Sequence, residues 1–334
     1  MSDLDDVGIV VIGRNEGQRL MGCLGAICPT GLHIVYVDSG STDGSADQAR
    51  QMGVNVIVLD DRVPFTAARG RNAGFVHLTH KFPELRFVQF LDGDCEISPA
   101  WLKTAARALR SNIQLVMVCG RRREQFPELS IYNRLCDMEW NTSIGETNTC
   151  GGDFMVRVTE FSAVGGFNES LIAGEEPELC WRLRVAGGTI ERLPVEMTVH
   201  DANLKKFHQW WKRQVRAGHA AAENADLHGR VDGKHYVRNV ASNLAYGIVI
   251  PAVAAATAYF SVVASVLFLV AVYSQLFFRV LTFRRQRADP SSNAALYAVF
   301  TVLVKFPQTF GALVYAWRRK VLKRQSGLIE YKEY

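Results

Sequence analysis

The sequence predicts an α/β fold, a mostly parallel sheet with helices on both faces, followed by membrane-associated helices. Three observations carry this reading. Short β-branched runs alternate with amphipathic stretches from Val7 to Gly120; two carboxylates one residue apart, Asp92 and Asp94, follow one of those runs; and no charged residue occurs from Leu244 to Phe278. Strands that alternate with helices pair in parallel, because a parallel neighbour is reached only through a crossover.

Val7 to Ile12 reads as the first strand, with a loop at Gly13-Arg14-Asn15-Glu16-Gly17 and a helix whose apolar face is Leu20, Leu24 and Ile27. Leu32 to Val37 is the second strand. It ends in Asp38-Ser39-Gly40-Ser41-Thr42-Asp43-Gly44-Ser45, a loop of turn formers and helix-capping residues. Val54 to Leu59 is the third strand, Ala67 to Thr79 a helix and Phe87 to Leu91 the fourth strand. A helix from Pro99 through Arg110 leads to a strand at Leu115 to Gly120, and regularity then lapses until a helix at Glu178 to Ala186. An apolar run, Leu193 to Val199, precedes His200, and a long basic and aromatic helix is expected over Asn203 to Asn224. No internal repeat is visible.

Asp92 and Asp94 lie where a buried strand delivers its carboxyl end to a ligand. Hard oxygen donors there favour Mg²⁺ or Mn²⁺ over zinc, and such a cation suits a diphosphate.

A chain of 334 residues exceeds one average domain. The expected division is a catalytic domain over 1–225, a linker over 226–243 and a membrane-associated helical region over 244–334 with a basic tail. The 35 residues from Leu244 to Phe278 would make roughly 52 Å of helix against ~30 Å of hydrocarbon, yet two full spans need about 40 residues. Pro251 and Ala252 to Ala256 permit a kink, a steep tilt or a tight hairpin of two short helices. A second run, Leu296 to Trp317, contains one charge, Lys305, near Pro307 and Gln308. Arg279, Arg284, Arg285 and Arg287 precede it; Arg318, Arg319, Lys320, Lys323 and Arg324 follow it. Two plain spans place one basic cluster outside, against the positive-inside tendency, whereas a hairpin and a re-entrant segment keep both inside. Met1 to Asp6 lacks the features of a signal peptide, so the large domain is expected to face the cytoplasm from the inner membrane. The net charge of +5 owes much to the flanking clusters and points to anionic lipid, not to nucleic acid. Seven cysteines show no paired metal spacing and read as reduced thiols.

Taken in order, Val11-Ile-Gly-Arg-Asn-Glu16, Val37-Asp-Ser-Gly-Ser-Thr-Asp-Gly-Ser45, Arg71-Asn72-Ala73-Gly74, the Asp92/Asp94 pair, Val164-Gly-Gly-Phe-Asn-Glu169 and Gly174-Glu175-Glu176 ahead of Leu179-Cys-Trp-Arg182 resemble the family 2 glycosyltransferases, over roughly Val7 to Ala220. The resemblance implies the GT-A fold, a nucleotide-sugar donor carrying UDP, GDP or dTDP, and inversion at the transferred sugar. It assigns Asn15, Glu16, Asp38, Ser41, Asp43, Arg71, Asn72 and Asp92 to the donor, with Arg71 on the diphosphate or the sugar. Asp94 becomes the principal metal ligand, Asp92 reaches the ribose or the metal through water, and His200 completes the metal site.

Inversion needs a base on the face opposite the leaving group. Glu176 is the expected base and Glu175 the alternative, in a position where the family more often has Glu-Asp. Pro177 at the first helical position would make Glu176 the N-cap, ionised by the helix dipole. Trp181, Arg182, Trp210, Trp211, Arg213 and Arg216 are candidates for the acceptor and its phosphates at the headgroup layer. Processive members carry Gln-x-x-Arg-Trp where this chain has Gln209-Trp-Trp-Lys-Arg213, which favours transfer of a single sugar. The expected activity is therefore hexosyl transfer to a membrane-held acceptor, a polyprenyl-diphosphate-linked glycan or glycolipid of cell-surface polysaccharide assembly. The alternatives are a noncatalytic nucleotide-sugar-binding membrane scaffold and a nucleotidyltransferase, whose glycine-rich, lysine-containing first loop is missing here.

Overall fold

A computed structural model of the chain describes residues 4–229 and 234–323. They form two compact units, one of residues 4–128 with 139–203, the other of 129–138 with the described residues of 204–323.

The first unit is built on strands β1 (Val7–Gly13), β2 (His33–Asp38), β3 (Asn55–Val58), β4 (Phe87–Asp92), β5 (Cys95–Ile97), β6 (Leu115–Glu124), β7 (Gly145–Glu146), β8 (Phe154–Arg157) and β9 (Thr189–His200). They make one sheet in the order β3-β2-β1-β4-β8-β6-β9-β5, with β7 on β9. From β3 to β4 every pairing is parallel, as the alternation predicts. Beyond β4 the sheet is mixed: β8 runs antiparallel to β4 and β6, β9 parallel to β6, and β5 antiparallel to β9.

Register decides where the polar groups gather. Gly13 pairs with Asp38 and Ile12 with Asp92, so β1, β2 and β4 end together on one edge. Val7, Ile9, Val10 and Val11 are fully buried, the continuous apolar run of a strand covered on both faces. Beside β4, the rings of Phe75, Phe90, Phe154, Phe161 and Phe167 pack with centroids 4.4 to 6.4 Å apart.

Three differences from the sequence reading have physical causes. β6 runs past Gly120 to Glu124, because Arg121–Glu124 keep pairing with Glu196–His200 after irregularities in register. β5 and β8 are three and four residues long, too short to display a period. The helix Glu175–Val185 starts earlier than expected, on Gly174 in the left-handed region at φ 77°. Glu176 is thus its second residue, not its N-cap, and Pro177 its third; proline is tolerated there because first-turn amides have no helical partner.

In the second unit the two apolar runs become three helices, Tyr236–Phe260, Val262–Gln286 and Ser291–Arg319, of 25, 25 and 29 residues, each long and apolar enough to cross a membrane. At 1.5 Å per residue the shorter ones reach about 37 Å. The break in the first run falls at Ser261, which is extended and whose hydroxyl accepts from the Ala264 amide. Pro251 lies inside the first helix, just past a π turn at Ala245–Val249. Bounding the run by charge hid these lengths, since the helices continue through Arg238 and Arg279. Part of the expected linker is helical, at Lys234–Leu244, while residues 230–233 and the tail from Arg324 lie outside the described residues. The long helix observed is Phe207–His228. It meets Lys305–Ala316 at backbone contact: a Cβ on Gly218 would sit 2.1 Å from the Gln308 carbonyl, and one on Gly311 2.0 Å from that of Val215.

Candidate active site

The loops after β1 and β2 lock to each other. Asn15, at φ 53°, donates its amide to Ser41 Oγ at 2.9 Å and accepts from the Thr42 amide at 2.8 Å through Oδ1. Asp38, 1 % exposed, accepts from the Gly40 and Ser41 amides through Oδ2 and from the Tyr36 hydroxyl, at 2.9 Å, through Oδ1. Asp43 Oδ1 accepts from the Ser45 amide at 3.0 Å; burial pushes its carboxyl up, but the hydrogen bonds from Ser45 outweigh this and hold it low. Glu16 is buried and paired with Arg19 at 2.7 Å.

Arg71 joins motifs that are far apart in sequence. It is 3 % exposed, and its Nη2 reaches Asp92 Oδ1 while its Nη1 reaches Glu175 Oε1, both at 2.7 Å. Arg122, from the extension of β6, approaches the other Asp92 oxygen at 3.5 Å and pairs with the fully buried Asp153 at 2.7 Å. Asp153 in turn accepts from the Asp92 amide and the Thr198 hydroxyl. Burial would raise the Asp92 carboxyl, but Arg71 and Arg122 overcome it and keep it below the usual range. Gly152 packs on this cluster so closely that a Cβ would stand 2.3 Å from Asp92 Oδ2.

Asp94 and His200 meet because β5 pairs antiparallel with the end of β9, Cys95 opposite His200. Nε2 of His200 lies 3.2 Å from Asp94 Oδ2, and the ring stands edge-on to Trp140 with centroids 4.8 Å apart. Both are buried, and His200 Nδ1 has no partner among the described residues. One carboxylate and one imidazole that converge in this way are a donor set that fits Mn²⁺ or Mg²⁺. Asp92 differs, its oxygens being engaged by the two guanidinium groups.

Glu176, 4 % exposed, accepts from the Cys150 amide at 2.5 Å and from the Cys180 thiol at 2.9 Å through Oε1. Burial pushes its carboxyl up to about 7, against those hydrogen bonds. The expected ionisation by the helix dipole is therefore corrected: desolvation wins, because the side chain turns into the protein.

Several other expected site residues serve the scaffold. Asn72 uses both ends of its amide on the Phe167 backbone and on Glu169, pinning the Gly165–Glu169 turn. Arg182 is spent on Glu178 and the Val164 carbonyl. Trp210 is buried, with its ring against those of Phe207 and Phe300. Trp181, Trp211, Arg213 and Arg216 are half-buried. Sequence reasoning missed Arg122, Asp153, Tyr36 and the thiols around Glu176. Only the Arg121-Arg122-Arg123 run following a strand offered a signal, and it reads equally well as a solvated edge.

The Glycosyl transferase family 2 model matches residues 8–162, which include Asp92 and Asp94 and stop short of Glu175, Glu176 and His200. The chain is 25% identical over 236 residues to the pre-mycofactocin glycosyltransferase of Mycobacterium tuberculosis, in strains CDC 1551 / Oshkosh and ATCC 25618 / H37Rv, covering 67% of this chain and 48% of those proteins. It thus spans about half the length of the curated relatives it matches. Among solved structures it is similar to a mannosyltransferase from Pyrobaculum calidifontis in complex with GDP-Man and Mn²⁺, at a TM-score of 0.56 and 16% identity, over 96% of this chain and 88% of that one. Glucosyl-3-phosphoglycerate synthase from M. tuberculosis in complex with Mg²⁺ and UDP aligns at a TM-score of 0.50 and 15% identity, over 66% of this chain and 79% of that one. The likeness to these structures is one of fold, and that fold is the GT-A fold.

Proposed function

From a chain whose residues 8–162 are a glycosyl transferase family 2 domain, we propose a metal-dependent, inverting enzyme that moves one hexosyl group from a nucleotide-diphosphate sugar to an acceptor held at a membrane. The Arg71 bridge carries the reading: one guanidinium ties Asp92 to Glu175, beside the Asp94–His200 pair, which assembles donor, metal and base motifs in one place. Similar proteins add support, one a named glycosyltransferase and others bound to GDP-Man with Mn²⁺ or UDP with Mg²⁺.

Asp94 and His200 would hold the divalent cation, which when bound offsets the charge growing on the departing diphosphate. Arg71 and Arg122 fix Asp92 as an ionised acceptor for a donor hydroxyl. Asn15 and Asp38 keep the two nucleotide loops closed on one another. Glu176 takes the proton of the attacking hydroxyl; with its carboxyl near 7 it is basic enough to accept that proton, and about half of it is ionised at pH 7. Glu175 spends an oxygen on Arg71 and orients it.

Support for a membrane-held acceptor comes from the three long apolar helices and the arginines beside them. A polyprenyl-diphosphate-linked glycan or glycolipid, met on the cytoplasmic face of the inner membrane during surface polysaccharide assembly, fits such a chain. The test is nucleoside-diphosphate release by the chain in mild detergent, from a panel of UDP-, GDP- and dTDP-sugars with Mn²⁺ or Mg²⁺, beside Asp94→Ala. Metal-dependent release from one donor, lost in the variant, is expected. No release from any donor, even with membrane lipid extract as acceptor, overturns the reading in favour of a scaffold.

A further inference from the structure

Two thiols from distant parts of the chain meet at Glu176. Cys150 comes from the loop ahead of β8 and Cys180 from the helix Glu175–Val185, one turn beyond Glu176 and on its face. The Cys180 thiol donates to Glu176 Oε1 at 2.9 Å and lies 3.5 Å from the Met117 sulfur. One donor atom each from Cys150, Glu176 and Cys180 falls within 4.8 Å of the other two. The transfer reaction uses none of these sulfurs.

We infer that Cys150, Cys180 and Glu176 form a three-ligand site for a thiophilic divalent cation such as Zn²⁺, with water in the fourth position, separate from the Asp94–His200 pair. Occupancy would withdraw the Glu176 carboxylate from the reaction. Tetrahedral zinc, with bonds of about 2.0–2.3 Å, needs ligand atoms roughly 3.5 Å apart, a spacing to which the three donor atoms within 4.8 Å of one another must contract. Soft sulfur donors select Zn²⁺ and reject Mg²⁺, so the two sites divide the two kinds of cation between them. Burial pushes the Cys180 thiol up to about 12, since an uncompensated thiolate is costly there. A bound dication removes that cost, and each coordinated thiol releases its proton to solvent, so binding strengthens as pH rises. The inhibitory half of the inference rests on Glu176 as base; the binding half does not.

The experiment titrates the reduced full chain in detergent with Co²⁺ or Cd²⁺, reads thiolate-to-metal charge transfer, and competes with Zn²⁺. One equivalent of charge-transfer signal is expected in the wild type, in Asp94→Ala and in Cys95→Ser. It should be lost in Cys150→Ser and Cys180→Ser. Cys150 is half-buried in a loop, so its variant remains informative if Cys180→Ser fails to fold. A signal unchanged in Cys150→Ser overturns the site, and one lost in Cys95→Ser or Asp94→Ala moves the ion to the catalytic pair. In the release assay, Zn²⁺ added over excess Mn²⁺ should inhibit the wild type and spare Cys150→Ser. Charge transfer without inhibition keeps the site and overturns its control of Glu176; loss of all transferase activity leaves the binding measurement intact.

Discussion

The strands up to β4 and those after it build their polar sites by different means. In the first half each loop at the strand ends is finished by its neighbours: Asp38 is satisfied by Tyr36, Gly40 and Ser41, and Asn15 by the loop of the adjacent parallel strand. In the second half partners arrive from far away, as β9 does for Asp94 through the pairing of Cys95 with His200. Arg71 crosses between the halves, reaching Glu175 across 104 residues of sequence. The contrast implies that damage in the first half stays local, while damage in the second half or at Arg71 spreads through the reaction centre.

The largest effect expected is on chemistry. Glu176→Gln should lower kcat by about 10²–10⁴-fold with little change in fold, because amide and acid have the same shape. The sign of the pH dependence follows from burial: the protonated carboxyl cannot accept a proton, so wild-type activity should fall as pH drops through about 7. Glu176→Gln should lose that limb. A pH–rate profile checks both, and a deeper loss in Glu175→Gln than in Glu176→Gln would exchange the two roles.

Next comes the bridge itself. Arg71→Ala leaves the carboxylates of Asp92 and Glu175 without their shared cation, and removing one partner of a buried pair costs about 3–5 kcal/mol. Chemical denaturation should register it, and Arg71→Lys should recover only part, since one ammonium cannot replace a fork that holds two carboxylates. A loss below about 1 kcal/mol in Arg71→Ala would break the picture of two halves tied through one residue.

Legibility follows the same division. Asp38, Asp92 and Asp94 could be placed from sequence because a strand end and a turn are local events. His200 could be named only through a resemblance, and its meeting with Asp94 depends on a three-residue strand with no periodicity. Arg122, Asp153 and the thiols were illegible because nothing near them in sequence indicates their partners. Trp210 shows a further limit: a basic, aromatic helix looks the same whichever way its tryptophan faces, and the packing of Trp210 on Phe300 is seen only in the structure.

Gly152→Ala tests the far side of the ion-pair cluster. Its Cβ would stand 2.3 Å from Asp92 Oδ2 and about as close as contact allows to Arg71, so something must shift. Overpacking of this kind costs about 1–3 kcal/mol and should also raise KM for the donor, as Asp92 turns away. Steady-state kinetics with a fixed acceptor would detect it, and an unchanged KM would separate Asp92 from donor binding.

The smallest effect belongs to the self-contained half. Tyr36→Phe removes one hydrogen bond to Asp38 and leaves the two amide bonds that close the loop. Burial and the neighbouring Asp38 push the Tyr36 phenol well up, so it is a donor throughout the working pH range and its loss costs about 1.5 kcal/mol at every such pH. Donor KM should rise modestly while kcat and the limb near 7 set by Glu176 stay where they are. A shift of that limb in Tyr36→Phe would mean that the nucleotide loops and the base are coupled, and that the first half is less independent than its hydrogen bonds imply.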